Sequence, residues 1–462
     1  MDTVVAALRS ALHDEDGTLV LTGSAELDAA RTDKSGWVAP GGPVAVIEAR
    51  SVEHVQAVLR TCSSLGVPVV PRGAGTGLAG GANGTAGSVV LSVARMDRIT
   101  GVSTQDEYAI VEPGVLNGAL NAAVAEFGLQ FAPDPASAAI STVGGNIATN
   151  AGGLRCVKYG VTREAVLGLD VVLADGRLVS TGHRTVKGVT GLDLTALLVG
   201  SEGTLGVIVG ATVRLVPIPA GEPATLGAVF PTVEAAAAAA ALLVTLPDRP
   251  STVELLDAAA LDGIAAYLGP DVITATVGDT GTGSVFLLVE FDGAGAGAAA
   301  TAAEPFLRSV GGSVHRARSA AERERLLTIR RSFHPAMEAR GRVLIEDVAV
   351  PRSRLPEMFA RIEEIGHRYG VAIPTVAHAG DGNLHPNFVF DGDEVPGHVW
   401  EAADAMFRAA IELGGTLTGE HGVGVLKRRW IGDELGDDVL ELQRSIRRVF
   451  DPAGILNPGK VS

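Results

Sequence analysis

The glycines of this chain are bunched rather than evenly spread. They crowd into the stretches 72–87, 141–153 and 201–206, out of 59 glycines in 462 residues. With no period to them, collagen-like and linker readings fail. The first stretch, Gly75-Thr76-Gly77-Leu78-Ala79-Gly80, matches the dinucleotide pattern GxGxxG and follows the strand-like VPVVP. A Rossmann site requires a helix to start in that loop, with its N-terminus on the pyrophosphate. Here the chain continues Gly81-Ala82-Asn83-Gly84-Thr85-Ala86-Gly87, where no helix can begin, and no acidic residue closes a second strand about twenty positions on. A nicotinamide Rossmann site is therefore rejected. Successive bare amides can still wrap a phosphate, with Arg72 adding charge at the edge. Three such stretches in one region point to one long ligand touched by backbone at several places.

The length calls for two or three domains. Apolar residues at 47% and charged residues at 19% make the chain globular. A net charge of −16 with no basic run excludes nucleic acid as a partner, but leaves an anionic substrate open because one local arginine can outweigh distant charge. Cys62 and Cys156 cannot build a disulfide framework, so a reducing, cytoplasmic location is expected. The start Met1-Asp2-Thr3-Val4 is no signal peptide, and the longest apolar run, 235–244, is too short for a membrane span. Peripheral docking on the inner face of a membrane, and a homodimer, remain compatible with this.

Residues 1–40 read as a helical segment that gives way to loop. VAVIEA, a helix over 53–66 capped by Gly66, and VPVVP make a β-α-β unit. SVVLSV and YAIVEPGV read as further strands, and 140–215 as glycine-rich turns alternating with β-branched runs. Three prolines in 217–223 mark a boundary. Beyond it come two more β-α-β patterns, TLGAVF/233–245/STVELL and SVFLLVEF/296–309/GGSVHRA, which suggest a small helix-covered sheet. From about 400 the chain returns to helix. The expected class is α+β, divided as 1–40, 41–218, 219–405 and 406–462.

VAHAGDGNLHPNF carries a strong hairpin signal in Asp381-Gly382. A two-residue turn there pairs 380 with 383 and places His378 directly opposite His385, with Asn387 two residues on and on the same face. Two imidazoles so placed can share a metal and call for a carboxylate as third ligand. Glu420 in TGEHGVG is the candidate, because its glycine neighbours allow close approach. The geometry suits zinc, manganese or iron alike.

Together these motifs closely resemble a known family. PRGAGTGLAGG (71–81), PDPASAAISTVGGNIATNAGG (133–153), KYG (158–160) and SEGTLGVI (201–208) are similar to the flavin-binding domain of the vanillyl-alcohol oxidase and p-cresol methylhydroxylase (PCMH) superfamily. GDGNLH (380–385), GEHGVG (419–424) and LNPGKV (456–461) resemble its 2-hydroxy-acid dehydrogenase branch: glycolate oxidase catalytic subunits, D-lactate dehydrogenases and D-2-hydroxyglutarate dehydrogenases. The resemblance runs from about residue 40 to 461. It implies a two-part PCMH-type FAD domain, a ferredoxin-like substrate cap and a C-terminal segment that completes the active site. It implies FAD held by Arg72, Gly73, Ala74, Gly75, Thr76 and Gly77 at the pyrophosphate. Pro133, Asp134, Ser137, Gly144, Gly145, Asn146, Ala148, Gly153, Tyr159, Glu202, Gly206, Ile208 and Asn457 are implied for the rest of the cofactor. Thr76 stands where members with covalent flavin often carry histidine, so noncovalent FAD is expected. The family also implies a divalent metal, zinc first, on His378, His385 and Glu420, and a substrate-carboxylate clamp at Arg330.

The activity expected from this is oxidation of a small D-2-hydroxy acid to the 2-oxo acid by hydride transfer to flavin. His421 is chosen as general base because an imidazole titrates near operating pH. Asn387 joins Arg330 at the substrate. 2-Hydroxyglutarate enzymes carry a lysine just before a DVxxP-like strand, where this chain has Ile345, so a monocarboxylate such as D-lactate or glycolate is favoured. The alternatives are the dicarboxylate itself and a non-redox flavoenzyme of the alkyl-dihydroxyacetone-phosphate synthase type. With no cysteine cluster in the chain, electrons must leave to a quinone, a cytochrome, an iron–sulfur subunit or an electron-transfer flavoprotein.

Overall fold

The computed structural model describes residues 2–278, 280–281 and 283–461. The chain divides into two units, residues 1–152, 160–218 and 420–462 in the first and residues 153–159 and 219–419 in the second.

In the first unit the β-α-β pattern forms as expected. Strands Ala45–Glu48 and Val69–Arg72 flank Val89–Ser92, both in parallel, and Val20–Leu21 adds antiparallel at the far edge. The connecting helix Val52–Leu65 starts on Ser51, whose side chain accepts from the His54 amide, and ends at Gly66 in the left-handed region. No helix begins in the glycine loop 73–88. A second, five-stranded antiparallel sheet runs Ile99–Ser103, Tyr108–Val111, Val207–Arg214, Val166–Val172, Leu178–Gly182. Each sheet has its own apolar core, one around Ile47, Val55 and Leu59, the other around Val111, Phe131 and Leu169. The second glycine stretch corrects the loop reading. Val143–Thr149 is helical, begun by the Thr142 hydroxyl on the Gly145 amide at 3.3 Å, because the cap offsets the poor helix propensity of two glycines.

The second unit is built on one antiparallel sheet. Its strands run Ser313–Arg316, Ala224–Phe230, Val285–Phe291, Thr252–Leu256, Thr375–His378, Asn383–Phe390 and Arg342–Ile345, with Val348–Ala349 also on Asn383–Phe390. The first four, with helices Val233–Leu243 and Ala296–Ser309, are the two expected split β-α-β units. Helices Ala258–Leu268 and Pro270–Val277, between Thr252–Leu256 and Val285–Phe291, are additions the pattern reading passed over.

Two boundaries move. Residues 153–159 belong with the second unit, where the Lys158 ammonium and the Tyr159 hydroxyl both bond Asp292. The return to the first unit falls at Glu420 rather than 406, because helix Gly397–Glu412 packs on helix Leu355–Tyr369 and stays with the second. Among the described residues no helix is long and apolar enough to cross a membrane.

Candidate active site

The second unit gathers chemistry on one face of its sheet. Thr252–Leu256 is buried throughout, yet contains one acid, Glu254, at 1% exposure. Glu254 lies directly opposite His378 in the register. On the other side of His378 the expected hairpin is corrected. His378 pairs with Asn383 and Val376 with His385, so four residues, 379–382, form the turn. The His378 carbonyl accepts from the amides of both Asp381 and Gly382, and the Gly382 carbonyl is taken by the Val350 amide at 2.9 Å. These bonds widen the turn. The shift is by two residues, so face parity survives. His378 and His385 are diagonal rather than opposite, on one face, with ring centroids 4.9 Å apart and planes at 81°.

Asn387 follows on that face, fully buried. Its Nδ2 donates to the His385 carbonyl at 2.9 Å, while Oδ1 has no partner among the described residues. Ile345 lies directly across from Asn387 and so shares the face.

Helix Ala320–Arg331 crosses this face and is anchored at both ends. Arg323 forks onto Glu290 at 2.7 and 2.9 Å, and the Thr225 hydroxyl donates to the same carboxylate. Two turns later Arg330 Nε donates to Glu254 Oε2 at 2.6 Å. Leu326, between them, fills the core with Leu256, Phe286 and Val376. Arg330 is 13% exposed at its side chain, whereas Arg331, paired with Glu324, is 60% exposed and solvated. Glu254 Oε1 meets His378 Nδ1 at 2.6 Å. Arg330, Glu254, His378 and His385 thus form one continuous row.

Asp347, wholly buried, holds the approach to TGEHGVG. Its carboxylate accepts from the Thr418 hydroxyl at 2.9 Å and the Gly419 amide at 2.7 Å. A Cβ at Gly419 would stand 2.2 Å from Asn383 Nδ2, so a larger residue there would displace that amide. Glu420 is the next residue and the first of the returning first unit.

In the first unit, Glu202 is buried, with φ of 49°. Its carboxylate accepts from the amides of Val423 and Gly424 at 2.7 and 2.9 Å. Burial raises its pKa, against the amides and the charges of Lys427 and Lys460. What Glu202 contributes is therefore the shape of the turn that carries Glu420 and His421, whose Oε1 and Nε2 are 4.0 Å apart. Gly424, at φ +48°, sits so close to the first glycine loop that a Cβ would stand 2.1 Å from the Ala79 carbonyl.

The first glycine loop is shaped from inside. Arg72 donates to the carbonyls of Ala82 and Thr32 at 2.9 and 3.0 Å, which holds the turn through Gly73, Ala74, Gly75, Thr76 and Gly77. Segment 456–461 closes it from outside. Leu456 bridges Val69 in parallel, Asn457 Nδ2 donates to the carbonyls of Gly81 and Glu202, and Lys460 Nζ to those of Gly81 and Asn83. Burial pushes the Lys460 ammonium down to about 7 and raises Asp33 above the usual carboxylate range. Pro133 is held through its carbonyl by Asn117, and Ala148 accepts the Glu202 amide. Asp134, Ser137, Gly144, Gly145, Asn146, Gly206 and Ile208 line the same unit, whereas Gly153 and Tyr159 belong to the second.

The first unit suits a large polar cofactor. Asp33 Oδ2, Asn83 Oδ1, Ser141 Oγ, Asn146 Nδ2 and Asn457 Oδ1 are buried there with no partner among the described residues. Such atoms are costly unless a ligand meets them. The second unit suits a cation, with two imidazoles on one face and a carboxylate behind the first. Sequence reasoning missed Glu254, Asp347, Asp33 and Lys460. A lone acid in an apolar strand was a signal for Glu254, and the acidic pair in IEDV was one for Asp347.

Residues 43–182 match the family description "FAD binding domain" and residues 222–461 match "FAD linked oxidases, C-terminal domain". The chain is 39% identical to the glycolate oxidase subunit GlcD of Bacillus subtilis, over 91% of this chain and 89% of that one. It is 36% identical to a D-lactate dehydrogenase of Archaeoglobus fulgidus, over 90% of each. Among solved structures, p-cresol methylhydroxylase with substrate bound aligns at a TM-score of 0.75 and 19% identity, over 99% of this chain and 96% of that one. That likeness shows a shared PCMH-type fold.

Proposed function

This chain belongs to the FAD-linked oxidases, and we propose that within that family it oxidises a small D-2-hydroxy monocarboxylate, such as D-lactate or glycolate, to the 2-oxo acid. The observation that carries the reading is the second unit's face, where His378, His385 and Asn387 share one side of the sheet with Ile345. A 2-hydroxy acid offers a hydroxyl and a carboxylate to such a face. An apolar Ile345 gives a second carboxylate no partner, which disfavours 2-hydroxyglutarate.

His378, His385 and Glu420 would hold a divalent cation, zinc being the first choice. FAD would be held noncovalently by the glycine loop and the buried polar atoms of the first unit. A cation bound there would supply Lewis-acid activation of the substrate's hydroxyl, and bound FAD would supply a two-electron acceptor for the α-hydrogen. Arg330 gives its Nε to Glu254 and keeps its Nη edge for the substrate carboxylate, which sets the orientation. His421 takes the hydroxyl proton at a ring nitrogen as the α-hydrogen leaves. Asn387 Oδ1 accepts a hydrogen bond from the substrate or from bound water. Electrons then pass to an external acceptor. The relatives' names, glycolate oxidase and D-lactate dehydrogenase, support the substrate class.

The test is anaerobic bleaching of the flavoprotein by a panel of D- and L-2-hydroxy acids. Reduction by D-lactate or glycolate, and not by L-lactate or D-2-hydroxyglutarate, is expected. A protein bleached only by the dicarboxylate, or by none of the panel, would discard the reading.

A further inference from the structure

We infer that Glu254 is a positioning residue for cation binding: it sets which nitrogen of His378 is offered to the cation, and it yokes that ligand to Arg330. The inference rests on the reading of His378 as a ligand.

Glu254 is the one acid in a strand that is otherwise apolar or neutral, at 1% exposure. A buried carboxylate is retained only where charge or hydrogen bonds meet it. Both oxygens are met, and by different partners. Oε2 takes Arg330 Nε at 2.6 Å and Oε1 faces His378 Nδ1 at 2.6 Å. A carboxylate acceptor at Nδ1 requires the proton there. That leaves the lone pair on Nε2, the only other ring nitrogen, to ligate. The register makes this a property of the sheet, since Glu254 and His378 are directly opposed on adjacent strands. The His385 ring packs on it in a T-shaped arrangement, centroids 4.9 Å apart. Carboxylates behind metal-ligating histidines orient the ring and raise its basicity, and losing one weakens metal binding by about ten- to a hundredfold.

Arg330 enters through the same carboxylate. It fixes Oε2, which leaves Oε1 as the oxygen presented to the imidazole. The anion-binding arginine and the cation ligand therefore share one group and are not independent. This arrangement differs from simple neutralisation of Arg330, for which the position of His378 would be irrelevant.

The experiment uses the flavoprotein stripped of metal, with Mn2+ and Zn2+ affinities read by competition against a chromophoric chelator. Wild type, E254Q, R330M and the double variant E254Q/R330M are compared, with flavin absorbance and thermal midpoint as checks of folding. Gln keeps the shape of Glu254 and loses its charge. We expect E254Q to bind both metals ten- to a hundredfold more weakly, R330M to lose at most a few fold, and the double variant to stay as weak as E254Q. The double variant removes both charges, so it guards against an E254Q that fails only because a buried arginine is left unpaired. If the double variant binds as tightly as wild type, Glu254 merely balances Arg330 and the inference falls. Wild-type affinity in E254Q overturns it as well. Failure of the wild-type protein to bind either metal would remove the cation reading itself, and this inference with it.

Discussion

In the first unit the candidate cradle is main chain. It is formed by the glycine-rich stretches 73–87 and 202–206, and side chains such as Arg72, Glu202, Asn457 and Lys460 brace that backbone from behind. In the second unit the main chain is an ordinary antiparallel ladder, and the chemistry lies in side chains projecting from one face, Glu254, His378, His385 and Asn387. The two regions should therefore fail differently. A cradle of backbone tolerates changes of side-chain chemistry and is broken by one added carbon. A face of side chains tolerates changes of size and is broken by the loss of one functional group.

The largest effect should come from removing chemistry without adding bulk. His421→Ala, a change in the returning segment of the first unit outside its main-chain cradle, should slow flavin reduction by D-lactate by about 10²–10⁴-fold in anaerobic single-turnover mixing, with the bound-flavin spectrum unchanged. Normal reduction would remove His421 as base. Adding a carbon to the cradle comes next. Gly424→Ala would force a Cβ to 2.1 Å from the Ala79 carbonyl at a left-handed φ, and should cost about 1–3 kcal/mol in denaturant titration along with flavin retention. A variant that kept its flavin at wild-type stability would break the contrast between the regions. Ile345→Lys tests the face in the opposite sense. It should shift the kcat/KM ratio of D-2-hydroxyglutarate to D-lactate by about tenfold, roughly 1.4 kcal/mol, while stability moves little. An unaltered ratio would separate Ile345 from substrate choice.

The smallest effect is in pH dependence, where Lys460 and Asp257 should slope in opposite directions. Lys460 loses its proton near 7 when folded and near 10.5 when unfolded. Between those values the unfolded chain binds more protons, so stability rises as pH climbs, and Lys460→Met should flatten the rise. Asp257, in the second unit, accepts the amides of Ala260 and Thr375, and burial pushes its carboxyl from 3.8 to about 7. There the folded chain binds more protons between 3.8 and 7, so stability falls as pH climbs, and Asp257→Asn should flatten the fall. Midpoints of unfolding measured across both windows would check each sign.

Much of this was legible from residue order. Hydrophobic period and the Gly66 cap pointed to the first β-α-β unit, and the alanine runs to two helices of the second. His378 and His385 were placed on one face correctly but with the wrong pairing. Asp381-Gly382 signals a tight turn, and the wider one is held in part by a bond from the Val350 amide, 32 residues upstream of Gly382, that no local pattern contains. Glycine-rich 141–153 read as loop because propensity outweighed a single capping threonine. Glu254 carried a signal as a lone acid in an apolar strand, but its role was not legible because its partners lie 76 and 124 residues away.

The first unit is discontinuous, and its parallel sheet receives Leu456 and Asn457 at the open edge of Val69–Arg72. During synthesis that edge must wait. Residues 73–455 are made between the strand and the segment that covers it, and in that interval all of the second unit, residues 153–159 and 219–419, is made. An uncovered edge strand is a pairing hazard for any neighbouring chain. Translation that halts within 430–455 would release a chain whose second unit is complete and whose nascent first unit still has an open strand. For chains still being made, the exposure of that edge lasts as long as synthesis takes to reach residue 456.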